Sequence, residues 1–345
     1  SRQPSGKVWR ICAEKIRTRK KMDPFGRKID YLRISVTDRC NERCLYCMPE
    51  GYKGWERGDD HLSASEIIRI VGAAADLGFR KFRLTGGEPL MRDDLVDIVR
   101  AMSKIPRVES VGLSTNGMKL SAAAKHLREA GLLTVNVSLD ALDPKIYQRV
   151  TGGNVARVLA GIRAAVEAGF ERVKLNCVLM RGVNEQELWP LALFSAEHGL
   201  PLRLIELMPL TTTTVLTEKN FLSCGEAMQL LAQKDELIPQ PDRKLGHGPA
   251  QYYLLKQTGV LVGFIGAMTN RHFCDQCNKM RLTADGRVRP CLGNHIEVDL
   301  RTALRLGAND AALKELLETA VRLKPLEHQF RDNYQPCRPM TAIGG

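Results

Sequence analysis

Six short segments in which apolar and polar residues alternate are separated by stretches of helical pattern, and nothing else in the chain constrains its fold as strongly. They are "YLRISV" (31–36), "KFRLT" (81–85), "SVGLS" (110–114), "LTVNVSL" (133–139), "RVKLNCVLM" (172–180) and "LRLIELM" (202–208). Helical patterns such as "SASEIIRIVGAAADLG" lie between them; there Ser63 and Glu66 form a capping box and Gly78 closes the helix. Strands that each lead into a helix pair in parallel, which predicts an α/β fold, a partial (β/α)6 TIM-like barrel.

A parallel sheet covered on both faces reads as nearly continuous apolar strands, and these do not. Leu32, Ile34 and Val36 share one side of the first strand, Arg33 and Ser35 the other. Phe82 and Leu84 oppose Lys81, Arg83 and Thr85; Val135, Val137 and Leu139 oppose Asn136, Ser138 and Asp140; Val173, Leu175 and Cys177 oppose Lys174 and Asn176. Helices bury the apolar side, so the polar side lines a wet cavity inside a curved sheet. Arg33, Lys81, Arg83, Lys174 and Arg203 gather there. Several cations are not buried together unpaired, so the set points to a polyanionic guest such as a nucleoside triphosphate. For any single cation, an ion pair at a strand end is the alternative.

From about residue 240 the β/α rhythm stops. "YYLLKQ" and "VLVGFIG" read as paired strands, "TADGRV" as a hairpin and 300–323 as helices. The chain therefore divides into a basic arm (1–24), a barrel (25–240) and a smaller C-terminal domain (241–345). The net charge of +12 is concentrated at the start: residues 1–28 hold ten Lys/Arg against two acidic side chains, leaving +4 elsewhere. That makes "RTRKK" a solvated arm rather than a nucleic-acid contact. The arm lacks the apolar stretch of a secretory signal, and its composition is also compatible with the remnant of an organelle transit peptide. No apolar run has the length of a membrane span. A cytoplasmic location is expected, with an organelle matrix as the alternative.

Ten cysteines without a secretory signal predict reduced thiols and, where clustered, metal binding. Cys12, Cys177, Cys224 and Cys337 are scattered and expected to be buried. "CNERCLYC" carries Cys40, Cys44 and Cys47; "CDQC" carries Cys274 and Cys277, with Cys291 following after thirteen residues. Three thiolates can each hold one iron of a [4Fe-4S] cluster and leave the fourth iron open to a ligand. A zinc ion is the other reading. The nearest histidine to the first trio, His61, lies fourteen residues beyond Cys47, whereas His272 and His295 flank the second trio and either would complete a Cys3His site. "TGGEPL" (85–90) ends the second strand; its paired glycines allow a close backbone approach to a ligand, and Glu88 offers an acceptor for an amino group.

"CNERCLYC" followed by "TGGEP" resembles the radical S-adenosylmethionine (SAM) superfamily. "LRISVTDRCNERCLYCMPEG", "FRLTGGEPLMR", "HFCDQCNKMRLTADGRVRPCL" and the terminal "GG", in that order, resemble the GTP 3′,8-cyclase family of molybdenum cofactor biosynthesis from about residue 24 onward. The resemblance implies two [4Fe-4S] clusters. Cys40, Cys44 and Cys47 would hold the one that cleaves SAM, and Cys274, Cys277 and Cys291 a second whose open iron contacts guanine. Tyr46, Gly87, Ser138 and Met208 match SAM-contacting positions. Arg33, Arg83, Ser114, Lys174, Lys279 and Arg281 match GTP-binding positions, with Arg203 beside them. Gly344 and Gly345 match a tail that reaches the active site. The implied reaction takes hydrogen from ribose C3′ with a 5′-deoxyadenosyl radical, after which C3′ attacks guanine C8. An electron donor such as flavodoxin or ferredoxin, a cyclic pyranopterin monophosphate synthase downstream and a homodimer are implied as partners.

The match departs at Lys279, where the family has Arg, at "PLTTTTVLTEKN" (209–220), and at "CLGN", where Gly293 replaces a large apolar residue and would loosen packing near Cys291. Two other readings stand beside it. One is a two-cluster enzyme acting on peptides; the other is a zinc-bound nucleic-acid module, motivated by the basic charge and CxxC.

Overall fold

A computed structural model describes residues 22–48, 61–211, 215, 217–243, 245–246, 248–332 and 334–345. Residues 1–21 of the basic arm, Cys12 and most of the threonine run lie outside the described residues. The six expected strands are β1 (Tyr31–Ser35), β2 (Lys81–Thr85), β3 (Ser110–Thr115), β4 (Thr134–Ser138), β5 (Arg172–Leu179) and β6 (Leu202–Glu206). They pair in parallel in that order. Helices α1 (Ala64–Leu77), α2 (Leu95–Ser103), α3 (Leu120–Glu129), α4 (Pro144–Thr151), α5 (Val155–Glu167), α6 (Leu188–Glu197) and α7 (Cys224–Ala232) follow the strands. The capping box of α1 forms as expected: Glu66 N donates to Ser63 Oγ at 3.2 Å and Ser63 N to Glu66 Oε2 at 2.8 Å.

The C-terminal segment extends this same sheet at both edges. β7 (Leu237–Pro239), β8 (Gln251–Leu255) and β9 (Leu261–Ile265) form an antiparallel set whose β9 runs parallel to β6. On the far side β10 (Lys279–Leu282) runs parallel to β1 and turns back through β11 (Arg287–Arg289) to β12 (Val298–Asp299). The twelve strands lie in the order β12-β11-β10-β1-β2-β3-β4-β5-β6-β9-β8-β7, and no pairing among the described residues closes them into a barrel. Helices α8 (Arg301–Arg305), α9 (Asp310–Arg322) and α10 (Met340–Ile343) complete the chain.

One face of the sheet is apolar throughout. Leu32, Ile34, Leu84, Leu113, Val135, Val137, Leu175 and Leu204 are fully buried beneath helix residues such as Ile67, Ile70, Ile98 and Val99. Each such side chain contributes about 2 kcal/mol by leaving water. That covering fixes the register, and the register fixes what the other face displays. Arg281, Arg33 and Arg83 are direct cross-strand partners, and so are Ser114, Asn136 and Lys174. Asn176 pairs with Arg203. Period two along each strand thus becomes rows of polar groups across the concave face.

Candidate active site

These rows, both cysteine trios and the C-terminus line one cavity of about 1410 Å³. Cys40, Cys44 and Cys47 stand at its rim beyond the ends of β1 and β2, where the loop is held from two sides. Gly87 N donates to Thr37 O (2.8 Å) and Glu88 N to Arg39 O (2.7 Å), while Arg43 N and Leu45 N donate to Thr151 O (2.7 Å) and Val150 O (2.9 Å). Cys47 N donates to Cys44 O at 3.0 Å, closing a tight turn.

The paired glycines serve this loop. A Cβ on Gly87 would lie 2.4 Å from Arg39 O and 2.5 Å from Asp38 O, and one on Gly86 would lie 2.5 Å from Thr37 O. The close approach read from "TGGEP" is therefore to the chain's own cysteine loop, although Gly87 also lines the cavity. Glu88 is likewise committed to the protein. It accepts from Thr115 Oγ1 (2.6 Å), Asn116 N (2.7 Å) and Leu90 N (3.0 Å), and both its oxygens are used. Burial nevertheless pushes its carboxyl up to about 7.

Of the positions expected near SAM, Tyr46 donates its hydroxyl to Asp140 Oδ2 at 2.7 Å, and Asp140 Oδ1 accepts from Val178 N at 2.8 Å. Ser138 and Met208 line the same wall. Met208 and Cys47 pack against Leu210, Phe330, Tyr334 and Met340, an apolar collar beside the first trio. Glu42, which sequence reasoning missed, is buried below the loop, accepts from Tyr147 Oη at 2.8 Å and lies 3.9 Å from Cys44 Sγ.

The cations fall into three groups. Lys81 forms an ion pair with Asp30 at 3.1 Å, so the strand-end alternative describes it. Arg83 is fixed by the protein: Nε donates to Tyr31 Oη (2.7 Å), Nη1 to Leu113 O (2.6 Å) and Nη2 to Thr134 Oγ1 (2.8 Å). Arg33 Nε, Arg203 Nε and Nη2, Ser114 Oγ, Asn136 Oδ1 and Asn176 Oδ1 are buried without a partner. Buried polar atoms left unsatisfied are costly, and this group shares the cavity face. Burial, with the neighbouring arginines adding to it, lowers Arg203 to about 10, Arg281 to about 9 and Lys174 to about 6. Tyr31 was not singled out from the sequence, although parity puts it on the face of Arg33. Burial alone would raise its phenol, but Arg83, Arg33 and Lys279 bring it down to about 8.

Cys274, Cys277 and Cys291 line the opposite wall with Lys279 and Arg281. The two terminal glycines lie between the trios. Gly345 O accepts from Thr85 Oγ1 at 2.6 Å and from Arg33 Nη2, and Gly344 O accepts from Arg281 Nη1. The space expected beside Gly293 is taken by Phe330, whose ring would lie 2.7 Å from a Cβ there. Cys177 and Cys224 are buried as expected; Cys337, on the terminal segment, is exposed, with His295 Nδ1 3.1 Å from its sulfur.

The donor sets fit iron-sulfur clusters better than zinc. Among the described residues no three His, Cys, Asp or Glu side chains converge on a point as a single ion requires. Thiolates of a cubane each bind a different iron and stand apart. One ring nitrogen of each nearby histidine is bonded away from the trios: His61 Nε2 to Asp38 (2.9 Å), His272 Nδ1 to Asp275 (2.9 Å) and His295 Nδ1 to Cys337, with the His295 ring stacked on Tyr334. Burial pushes the Cys40 and Cys47 thiols up to about 12, and a bound metal centre would hold them as thiolates.

Comparison with known proteins agrees with this geometry. Residues 34–194 match the family model of the radical SAM superfamily, and residues 200–330 match that of the molybdenum cofactor synthesis C-terminal domain. The GTP 3′,8-cyclase of Pelotomaculum thermopropionicum is 44% identical over 325 residues, covering 94% of this chain and 99% of the relative. That of Moorella thermoacetica is 43% identical over 324 residues, with 94% and 99% covered. Among solved structures, Streptococcus suis SuiB bound to S-adenosylmethionine superposes with a TM-score of 0.64 at 14% identity, covering 94% of this chain and 71% of that one. Native anSMEcpe with bound AdoMet gives a TM-score of 0.59 at 15% identity, covering 87% and 82%. These structures share the fold, while the relatives of high identity cover 94% of this chain and nearly all of their own length. This chain belongs to the GTP 3′,8-cyclases, radical SAM enzymes of molybdenum cofactor biosynthesis.

Proposed function

We propose that the cavity holds SAM and GTP end to end, with the ribose of GTP facing the SAM side. The family reaction converts GTP to (8S)-3′,8-cyclo-7,8-dihydroguanosine 5′-triphosphate, the first step of molybdenum cofactor synthesis. Cys40, Cys44 and Cys47 would hold the first [4Fe-4S] cluster, and Cys274, Cys277 and Cys291 the second. When bound, the first supplies the electron for SAM cleavage and the second offers an open iron to the guanine.

The chain's own residues do the positioning. Tyr46, Gly87, Ser138 and Met208 would contact SAM. Arg33, Arg83, Ser114, Lys174, Arg203, Lys279 and Arg281 would take the triphosphate and base, satisfying the orphaned Arg33, Arg203 and Ser114 atoms. Lys279 offers a point charge where a guanidinium would offer a fork. The collar of Met208, Leu210, Phe330, Tyr334 and Met340 keeps water from the reacting carbon. Gly344 and Gly345, bonded to Arg33, Thr85 and Arg281, would fix the side chains that grip the substrate. A flavodoxin or ferredoxin as electron donor, a downstream cyclic pyranopterin monophosphate synthase, a homodimer and a cytoplasmic setting complete the proposal.

The observation that carries this reading is the single cavity that joins two thiol trios across a face of unpartnered cationic and polar groups. Anaerobic reconstitution tests it: about eight irons per chain and a cyclised product from GTP and SAM are expected. A protein holding zinc alone, or one that cleaves SAM without cyclising GTP, would overturn it.

A further inference from the structure

Two further cations stand beside the second trio, and one of them, Lys324, also lines the cavity. Lys324 follows α9 and is only 3% exposed. Its Nζ donates to Lys279 O at 2.8 Å and to Pro290 O at 2.7 Å. Lys279 stands two residues after Cys277 and Pro290 directly precedes Cys291, so one ammonium ties two arms of the trio together. The third arm is held by Arg27, whose Nη1 donates to Cys274 O at 3.0 Å. Arg27 has its own counter-charge in Asp23 at 2.6 Å. Lys324 has none: among the described residues only carbonyls hold it.

A buried ammonium held by carbonyls alone is costly unless negative charge lies close by. The three thiols are that neighbour. The carbonyls that hold Lys324 lie two residues from Cys277 and next to Cys291, so its ammonium stands beside the thiolates that those residues would present to a cluster. The first trio has a carboxyl close by, Glu42 Oε2 lying 3.9 Å from Cys44 Sγ, as well as one cation, Arg43, whose Nη1 donates to Cys40 O at 3.0 Å.

We infer that Lys324 is a positioning and charge-compensating residue for the second iron-sulfur cluster, and that its ammonium sets how readily that cluster accepts an electron. Reduction adds one negative charge, and the net charge around a cluster is one determinant of its potential. The inference rests on ligation of that cluster by Cys274, Cys277 and Cys291.

The test uses the full-length chain with Cys40, Cys44 and Cys47 changed to Ala, reconstituted so that only the second cluster is present. About four irons per chain are expected; their absence would sink the ligation reading itself. The cluster is titrated with dithionite and followed by electron paramagnetic resonance, without SAM or GTP. Lys324→Gln keeps an amide donor and removes the charge, whereas Lys324→Arg keeps the charge. At full iron content, the Gln variant is expected to lower the equilibrium constant for reduction at least tenfold, a shift of 59 mV to more negative potential for one electron. The Arg variant is expected to stay within threefold. An unchanged potential in the Gln variant, or equal shifts in both, would reduce Lys324 to a mechanical brace and overturn the inference. If iron is lost, loss in the Gln variant alone supports a requirement for the charge, and loss in both overturns it.

Discussion

Binding of GTP should draw a proton onto Lys174. Its Nζ is buried, donates to Leu245 O, and faces Arg203, Arg83 and Arg172; burial first and these charges second lower it to about 6. At pH 7.5 an amine of that pKa is only about 3% protonated. A triphosphate beside it favours the ammonium form, and once the pKa passes about 8.5 the complex holds nearly one proton more than its parts. The sign follows: the bound state carries the extra proton, so affinity falls as pH rises from about 6.5 to 8, by up to tenfold per unit. Calorimetry of the reconstituted enzyme at pH 7.5, in HEPES and in Tris, gives the proton number from the dependence of the heat on buffer ionisation. About 0.5–1 proton taken up is expected, with near zero for Lys174→Gln. The terminal phosphate of GTP titrates near 6 and releases protons on binding to cations, the opposite sign. Equal proton counts in the two proteins would refute the role of Lys174.

Three other substitutions separate the parts of the site. Gly87→Ala pushes a methyl group to 2.4 Å from Arg39 O, so metal analysis is expected to show loss of about four of eight irons and retention of the second cluster. Arg203→Met removes a buried guanidinium with two unpartnered nitrogens; it should stabilise the substrate-free protein by about 1–3 kcal/mol in thermal denaturation while abolishing the stabilisation that GTP confers. Gly344→Val would crowd Ser35 Cβ and Thr85 Cγ2 at 2.9 Å, where the backbone φ is +88°, and expel the tail; cyclised product should fall at least tenfold by chromatography while 5′-deoxyadenosine continues to form.

The barrel strands and their polar face were legible because period two is a local property, and every parallel neighbour repeats it in register. The edges were not. That β10 would pair with β1, about 250 residues earlier in the chain, is decided by long-range register that no local pattern encodes. "TGGEP" shows in sequence that a backbone approaches something closely, without showing what, and Gly87 and Glu88 also line the cavity. The loop 37–39 is what that backbone approaches. Lys81 was grouped with the substrate cations by parity alone, and Asp30 one residue before β1 is its partner. Tyr31 could have been found by the same parity. Glu206 could not: it accepts from Cys224 N (2.9 Å), Met268 N (2.8 Å) and Thr269 N (3.0 Å), and so anchors the segment leading to the second trio through contacts distant in sequence.

The central claim is that SAM and GTP meet in one cavity with ribose C3′ facing the SAM end. It is tested most directly with GTP carrying deuterium at C3′. After turnover by the reconstituted enzyme, mass spectrometry of the 5′-deoxyadenosine should show the deuterium transferred from that position. Unlabelled 5′-deoxyadenosine formed alongside product that keeps the deuterium would contradict it.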